Sequence, residues 1–315
     1  MDQLRAMRVF ARVIEEGGFS KAAQALDIAP AVATRLVAEL EEHLQARLMH
    51  RTTRRITLTD VGEAYLERVR AILSDVDDAG AAANVATSEP RGVLRVMAPP
   101  GFSAHQLAHL LPGFRERYPK VDIELTVSGT MAEAADDNHD VTIVVAKRPL
   151  EGGFVARTLA CTELVLCGSP DYLDARGVPL HPEDLVGHDA LLPVPPSVRR
   201  ELEFTPAAGG PPVRVEILRT PVLATTHTDS LYAAALAGLG IAGLPSFVAA
   251  QALHRGRLRR VLPHWRLATL PVVAAMPTRK HVPMRTRVFI DYLVGELGGE
   301  MKDPWLTAAG CATCP

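Results

Sequence analysis

The hydrophobic pattern changes character at one place, Ser88-Glu89-Pro90-Arg91-Gly92, and that change splits the chain into two architectures. Upstream, apolar residues recur at helical spacing. Leu4, Met7, Val9, Phe10, Val13 and Ile14 form one helix, which Gly17-Gly18 stops. Ser20 is expected to cap the next helix, 21–26, and the turn Asp27-Ile28-Ala29 leads to Pro30. Proline is tolerated in a first helical turn, so Pro30 opens a third helix carrying Val32, Ala33, Leu36, Val37, Leu40 and Leu44. RTTRRITLT at 51–59 has β-branched, alternating character and reads as a short hairpin or wing. A long proline-free helix follows, with Thr59 as its N-cap and a stripe of Val61, Ala64, Tyr65, Val69, Ile72, Leu73, Val76 and Ala83. Such a stripe is expected to be covered by a partner chain or by its own domain.

Downstream, strand-like runs alternate with amphipathic helices. VLRVMAP, VDIELTVSG, DVTIVVA, VARTLA, ELVLCGSP, VRVEI, IAGLP and LATLPVVAAMP read as strands, and 193–212 as a Pro-rich stretch. This alternation argues for an α/β domain with largely parallel sheets. The apolar stretch 231–250 is broken by Gly238, Gly240, Gly243 and Pro245. It reads as helix, strand, helix rather than as a membrane span. The expected domains are a reader at 1–59, a linker helix at 60–88 and an effector domain at 89–298. The last has two subdomains, 91–162 with 268–298 and 163–267, and 299–315 is expected to be a flexible tail.

Chemistry narrows this further. The segment 21–44 is a helix-turn-helix, whose use is to lay the start of its second helix in the DNA major groove. Thr34 and Arg35 lie one turn inside that helix, away from Leu36 and Leu40. Arginine reads guanine bidentately, and threonine touches a thymine methyl or a phosphate. Ser20 and Lys21 sit at a helix N-terminus, which suits a phosphate. The wing adds Arg47, Arg51, Arg54 and Arg55 with no acid among them. The whole-chain charge of −2 hides this distribution. Residues 1–59 hold nine Lys/Arg against seven Asp/Glu, whereas 60–89 hold two against seven.

These motifs together resemble the LysR-type transcriptional regulators. MDQLRAMRVFARVIEEGGFSKAAQAL through RLMHRTTRRITLTDVG is similar to their winged helix-turn-helix. GVLRVMAP, LLPGFRERYPKVDIELTV, GSPDYL and GLGIAGLP are similar to their effector domain. The resemblance spans essentially the whole chain. It implies an all-α winged helix-turn-helix plus linker helix, then an α/β effector domain of two subdomains resembling periplasmic binding proteins. It implies double-stranded DNA with an inverted-repeat site, a small-molecule effector, a homodimer or homotetramer, and contact with RNA polymerase as partners. By position it implies that Ser20, Ala31, Val32, Thr34 and Arg35 face DNA, with Arg51, Thr52, Arg54 and Arg55 in the wing. Ala29, Gln45, Met49 and Val144 stand where the family commonly has Ser, Gly, Phe and Arg.

Open α/β sheets bind ligands beyond strand C-termini. That rule selects Pro100, Gly101, Phe102 and Ser103 after one strand and Ser128, Gly129 and Thr130 after another. It places Thr228, Asp229 and Ser230 across a cleft. These hydroxyls suit an anion or act as plain helix caps. Lys147 and Arg148 follow the strand at Asp140 and stand in for the Arg that Val144 replaces.

Other signals fall away. Gly238-x-Gly240-x-x-Gly243 follows a helix and precedes a strand, the reverse of a dinucleotide site. Cys311-x-x-Cys314 lacks a second ligand pair, and Cys161 and Cys167 would lie roughly 20 Å apart on an extended strand. No metal set, cofactor fingerprint in context or catalytic set emerges, so no enzyme is expected. MDQLRAMRVFARVIEEGG lacks the apolar core of a secretory leader, and a cytoplasmic protein is expected. The competing reading is a clefted solute-binding protein or enzyme with an accessory N-terminal module.

Overall fold

Asp2 opens the first helix, its carboxylate accepting from the Arg5 N–H at 3.1 Å. The computed structural model describes residues 2–51, 56–83, 89–128, 139–145, 154–193, 201–216, 220–277 and 282–310. It divides into two units, Met1–Glu89 and Pro90–Pro315, each considered by itself.

In the first unit, α1 (Gln3–Glu15), α2 (Phe19–Ala25) and α3 (Pro30–Leu44) precede a hairpin of β1 (Met49–Arg51) and β2 (Ile56–Leu58), and α4 (Asp60–Ala83) follows. Phe10, Val13, Val37, Leu40 and Leu48 are fully buried at its centre. Glu41 fastens α3 to the wing, accepting the N–H groups of Leu48 at 2.8 Å and Met49 at 3.3 Å. Thr59 caps α4 as expected, its Oγ1 accepting the Gly62 N–H at 2.9 Å. Ser20 does not cap α2. The helix begins two residues earlier, at Phe19, Gly18 is the capping position, and no side chain bonds there. The stripe of α4 also divides. Leu66 and Val69 are buried in the unit's own core and Tyr65 packs toward Phe10, while Val61 and Ile72 stay exposed. The unit's own core, rather than a partner chain, therefore takes part of that face.

The second unit begins with β3 (Gly92–Ala98). A helical rod follows, made of α5 (Pro100–Phe102), a π-helical turn (Ser103–Leu107) and α6 (Ala108–Arg117). Then come β4 (Val121–Val127), β5 (Val141–Val145), β6 (Phe154–Gly168), α7 (Pro170–Arg176), a 3-10 turn (Pro182–Gly187) and β7 (Ala190–Leu192). β8 (Glu201–Pro206), β9 (Val213–Glu216), β10 (Leu223–Ala224), α8 (Thr228–Leu236), β11 (Ile241–Pro245) and α9 (Ser246–His254) follow. The chain ends with β12 (Arg259–Arg260), β13 (Trp265–Arg266), β14 (Thr269–Pro277), α10 (Met284–Leu297) and α11 (Pro304–Ala308).

Among the described residues one sheet runs β10-β7-β11-β6-β14-β5-β3-β4, with β12 also on β6. It is mixed rather than largely parallel. β3 pairs parallel with β4 and β5, but β14 runs antiparallel to both β5 and β6. The reason is topological: the chain crosses between two lobes and must return, so the two crossing strands oppose each other. β6 is one strand of 15 residues, where two separate runs were expected. Through Glu163 it pairs with β14, with a bulge at Leu159, and from Leu164 to Cys167 it pairs with β11. Part of the Pro-rich stretch also forms a strand, β8, which lies between β13 and β9.

Lobe one is built on Leu94, Val96, Phe114, Leu159 and Phe289, and lobe two on Val165, Cys167, Leu191, Leu231 and Leu244. The stretch 231–250 is α8, β11 and α9. Among the described residues no helix is long and apolar enough to cross a membrane. The tail expected to be flexible is packed in its middle, at 303–306. Asp303, Trp305 and Leu306 are buried, because the Asp303 carboxylate caps α11 and its apolar side chains have cores to enter.

Lobe two contains one pH-sensitive group of structural interest. His188 Nδ1 lies 3.3 Å from the Tyr172 hydroxyl, which accepts the Asp189 N–H at 2.8 Å. Burial holds the His188 imidazole below its ordinary 6.5, against the opposing pull of Asp184 and Asp189. A base depressed on folding contributes stability that is fully present above 6.5 and is lost as pH falls through the lower folded value. His188→Gln is therefore expected to flatten the acid-side fall of the thermal midpoint between about pH 7 and about pH 5. Equal pH slopes for both proteins in thermal melts would contradict this.

Candidate functional site

The helix-turn-helix is set by two backbone positions. Asp27 takes a left-handed conformation at φ 51°, and the Ile28 N–H returns to the Ala23 carbonyl at 2.9 Å. Pro30 then occupies the first turn of α3, with no side-chain cap from Ala29. Ala33, Leu36, Val37 and Leu40 bury one face of α3. Ala31, Thr34 and Arg35 are exposed on another, and so are Ser20 and Lys21 on α2. The Arg35 side chain is 70% exposed and only loosely held, its Nε 3.6 Å from the Glu39 carboxylate. Thr34 Oγ1 donates to the Pro30 carbonyl at 3.0 Å. Val32 differs from expectation: it is half-buried against the core, so little of it is offered outward. Arg51 ends β1, while Thr52, Arg54 and Arg55 lie outside the described residues.

In the second unit, the rod after β3 meets the start of α8. A Cβ at Gly101 would lie 3.4 Å from Val248 Cγ2 and 3.8 Å from Thr228 Cβ, so the two chain segments touch there. Pro100 is half-buried at the first position of α5. Phe102 turns the other way. It is fully buried, edge-to-face on Phe247 at 5.4 Å, and so belongs to the core rather than to a ligand surface. Ser103 is buried and its Oγ has no hydrogen-bond partner, the kind of orphaned hydroxyl that a bound molecule or water satisfies. The Ser128 N–H extends the β4–β3 pairing to the Ala98 carbonyl at 3.1 Å. Gly129, Thr130, Lys147 and Arg148 lie outside the described residues.

Asp229 does not wait unpaired for a ligand. His105 Nε2 lies 2.8 Å from its Oδ1, joining the two lobes, and His227 Nε2 lies 3.9 Å from Oδ2. His227 Nδ1 in turn lies 3.0 Å from Ser230 Oγ. Gln106, next in sequence to His105, donates to the Phe247 carbonyl at 2.8 Å. Sequence reasoning passed over His105, Gln106 and His227, which fall in no motif. The signal was their offset: His105 stands two residues after Ser103, and His227 one before Thr228.

Family models match both units. The model for the bacterial regulatory helix-turn-helix protein of the lysR family covers residues 4–63, and that for the LysR substrate binding domain covers 87–298. This chain is a member of the LysR family of DNA-binding transcriptional regulators. An HTH-type transcriptional regulator of Haemophilus influenzae is 32% identical over 90% of this chain and 97% of its own length. The CrgA regulator of Neisseria meningitidis is 32% identical over 94% and 97%. The solved CrgA structure superposes with a TM-score of 0.59 at 31% identity, over 93% of this chain and 98% of that one. The full-length virulence activator AphB of Vibrio cholerae gives 0.56 at 26%, over 93% and 98%.

The departures of this LysR-type regulator from its family have local explanations. Gln45, where glycine is common, ends α3 in the left-handed region at φ 51°. Glutamine there costs about 1 kcal/mol relative to glycine. Val144, where an arginine is common, is buried in β5 opposite Val273. Cys161 and Cys167 lie on the same strand, and burial pushes both thiols up, Cys167 to about 12. The thiolate is the reactive form, so neither is set up as a redox switch. Cys311 and Cys314 fall outside the described residues.

Proposed function

We propose that this regulator reads an inverted-repeat promoter site as a dimer or tetramer and responds to a small molecule held between its lobes. The observation that carries the DNA half is the exposed pair Thr34 and Arg35 on a helix whose other face is locked into the core. Arg35 reads a base edge and Thr34 a methyl or phosphate. Ser20, Lys21 and Ala31 lie along the backbone, with Val32 at the margin. Arg51, Thr52, Arg54 and Arg55 in the wing add phosphate and minor-groove contacts.

The exposed Val61 and Ile72 of α4 are the surface through which two chains pair. Pairing matters because each reader carries few cations, and two half-sites multiply weak binding. The effector lies among Pro100, Gly101, Ser103, Ser128, Gly129, Thr130, Lys147, Thr228, Asp229 and Ser230, with Phe102 supporting from behind. Ser103 Oγ supports this placement, being buried without a partner. The protein works in the cytoplasm without catalysing a reaction, and meets RNA polymerase at the promoter.

The test is a gel-shift titration on DNA upstream of the protein's own gene. Arg35→Ala is expected to cost about 1–3 kcal/mol and to relax discrimination between sites. Arg54→Ala is expected to weaken all sites alike and to lower the salt slope by about one. Equal loss on specific and random DNA for Arg35→Ala would remove it from base reading.

A further inference from the structure

The segment beyond α10 runs beside the strand that joins the lobes. The Gly299 N–H donates to the Leu159 carbonyl at 2.9 Å, and the Lys302 carbonyl accepts the Cys161 N–H at 2.9 Å. Asp303 Oδ2 accepts the Glu163 N–H at 2.8 Å, at the last residue of β6 before it changes partner from β14 to β11. The other Asp303 oxygen caps α11 through the N–H groups of Trp305 and Leu306. These two neighbours then part. Trp305 enters the lobe-one core, where it meets Phe102 and Phe247 edge-on, and Leu306 enters the lobe-two core. The Trp305 indole N–H donates to Gln106 Oε1 at 2.6 Å, while the Gln106 amide holds the Phe247 carbonyl.

Gln106 lies in the π-helical turn. The Ala108 N–H there reaches back five residues to the Ser103 carbonyl, so the turn holds one more residue than an α-turn. The extra residue lets consecutive side chains engage two different helices, His105 reaching Asp229 on α8 and Gln106 the Phe247 carbonyl on α9. The tail therefore touches, through single side chains, both the rod that starts at Pro100 and the crossing point of β6.

We propose that residues 299–306 are a clamp on the seam between the lobes, and that the Gln106–Trp305 contact passes movement of the 100–107 rod to the β6 crossing. Gln106 and Trp305 are positioning residues in this scheme. The clamp rests on the effector-cleft reading for its use in regulation, but its mechanical coupling exists without any ligand.

Hydrogen–deuterium exchange of the full, ligand-free chain tests it. Gln106→Leu keeps the volume and removes both polar links, and Trp305→Phe keeps the burial and removes the indole N–H. Both are expected to speed exchange about tenfold or more in 159–163 and in α8, which neither residue bonds. A merely structural role would speed exchange only around 106, 247 and 304–308, and that result would overturn the proposal. Should either variant unfold, the other decides. A screen that found no ligand in the cleft would leave this exchange result standing, so the two readings fail separately.

Discussion

Replacing Gly62 by Ala is expected to abolish DNA binding by unfolding the first unit. The new Cβ would sit 1.9 Å from the Leu48 carbonyl oxygen and 2.8 Å from its carbon. That carbonyl cannot retreat cheaply. It accepts the Thr59 N–H at 3.0 Å, and the same residue's N–H is held by Glu41. Alanine favours a helix over glycine by about 1 kcal/mol. Overpacking costs about 1–3 kcal/mol, with anchored backbone at the upper end, so the clash wins. Both tryptophans, Trp265 and Trp305, lie beyond residue 90. Their fluorescence melt should therefore stay unchanged while helical circular dichroism and gel-shift activity fall. Wild-type binding by Gly62→Ala would show that α4 can lift from the wing without consequence.

Phe289→Ala should do the reverse. Phe289 is fully buried on α10 and meets Phe114 edge-to-face at 5.0 Å. Truncating such a ring costs about 3–5 kcal/mol, from lost transfer energy plus the cavity left behind. The fluorescence midpoint in denaturant should drop sharply, while the reader unit keeps its own transition. A drop under about 1 kcal/mol would mean that the core collapses into the space.

These two sites also mark what sequence reasoning can reach. Phe10 declared itself by periodicity, since burial of a helix face leaves a repeat. The Pro30 start of α3 and the Thr59 cap were readable because each rests on a local backbone rule. Gly62 was not, because its need for a bare Cα comes from Leu48 across the wing. Ser20 misled because a hydroxyl near a helix start looks like a cap even two residues out of register. The single course of β6 escaped notice because one strand changing partners at Glu163 and two short strands share one alternation. Among site residues, Thr34 and Arg35 stood out by their offset from the buried face. His105 and Gln106 did not, since a π-helical turn aims them and no spacing rule announces one.

The shared strand has a consequence for descent and for engineering. A polypeptide can be cut and rejoined at Glu89 and Pro90, where one unit ends and the other begins. Among the described residues the second unit offers no such joint, because β6 supplies consecutive residues to both lobes. Reading heads can thus be traded between relatives as finished parts. The lobes cannot be shuffled, and new ligand preferences must arise by altering the loops around an unbroken strand.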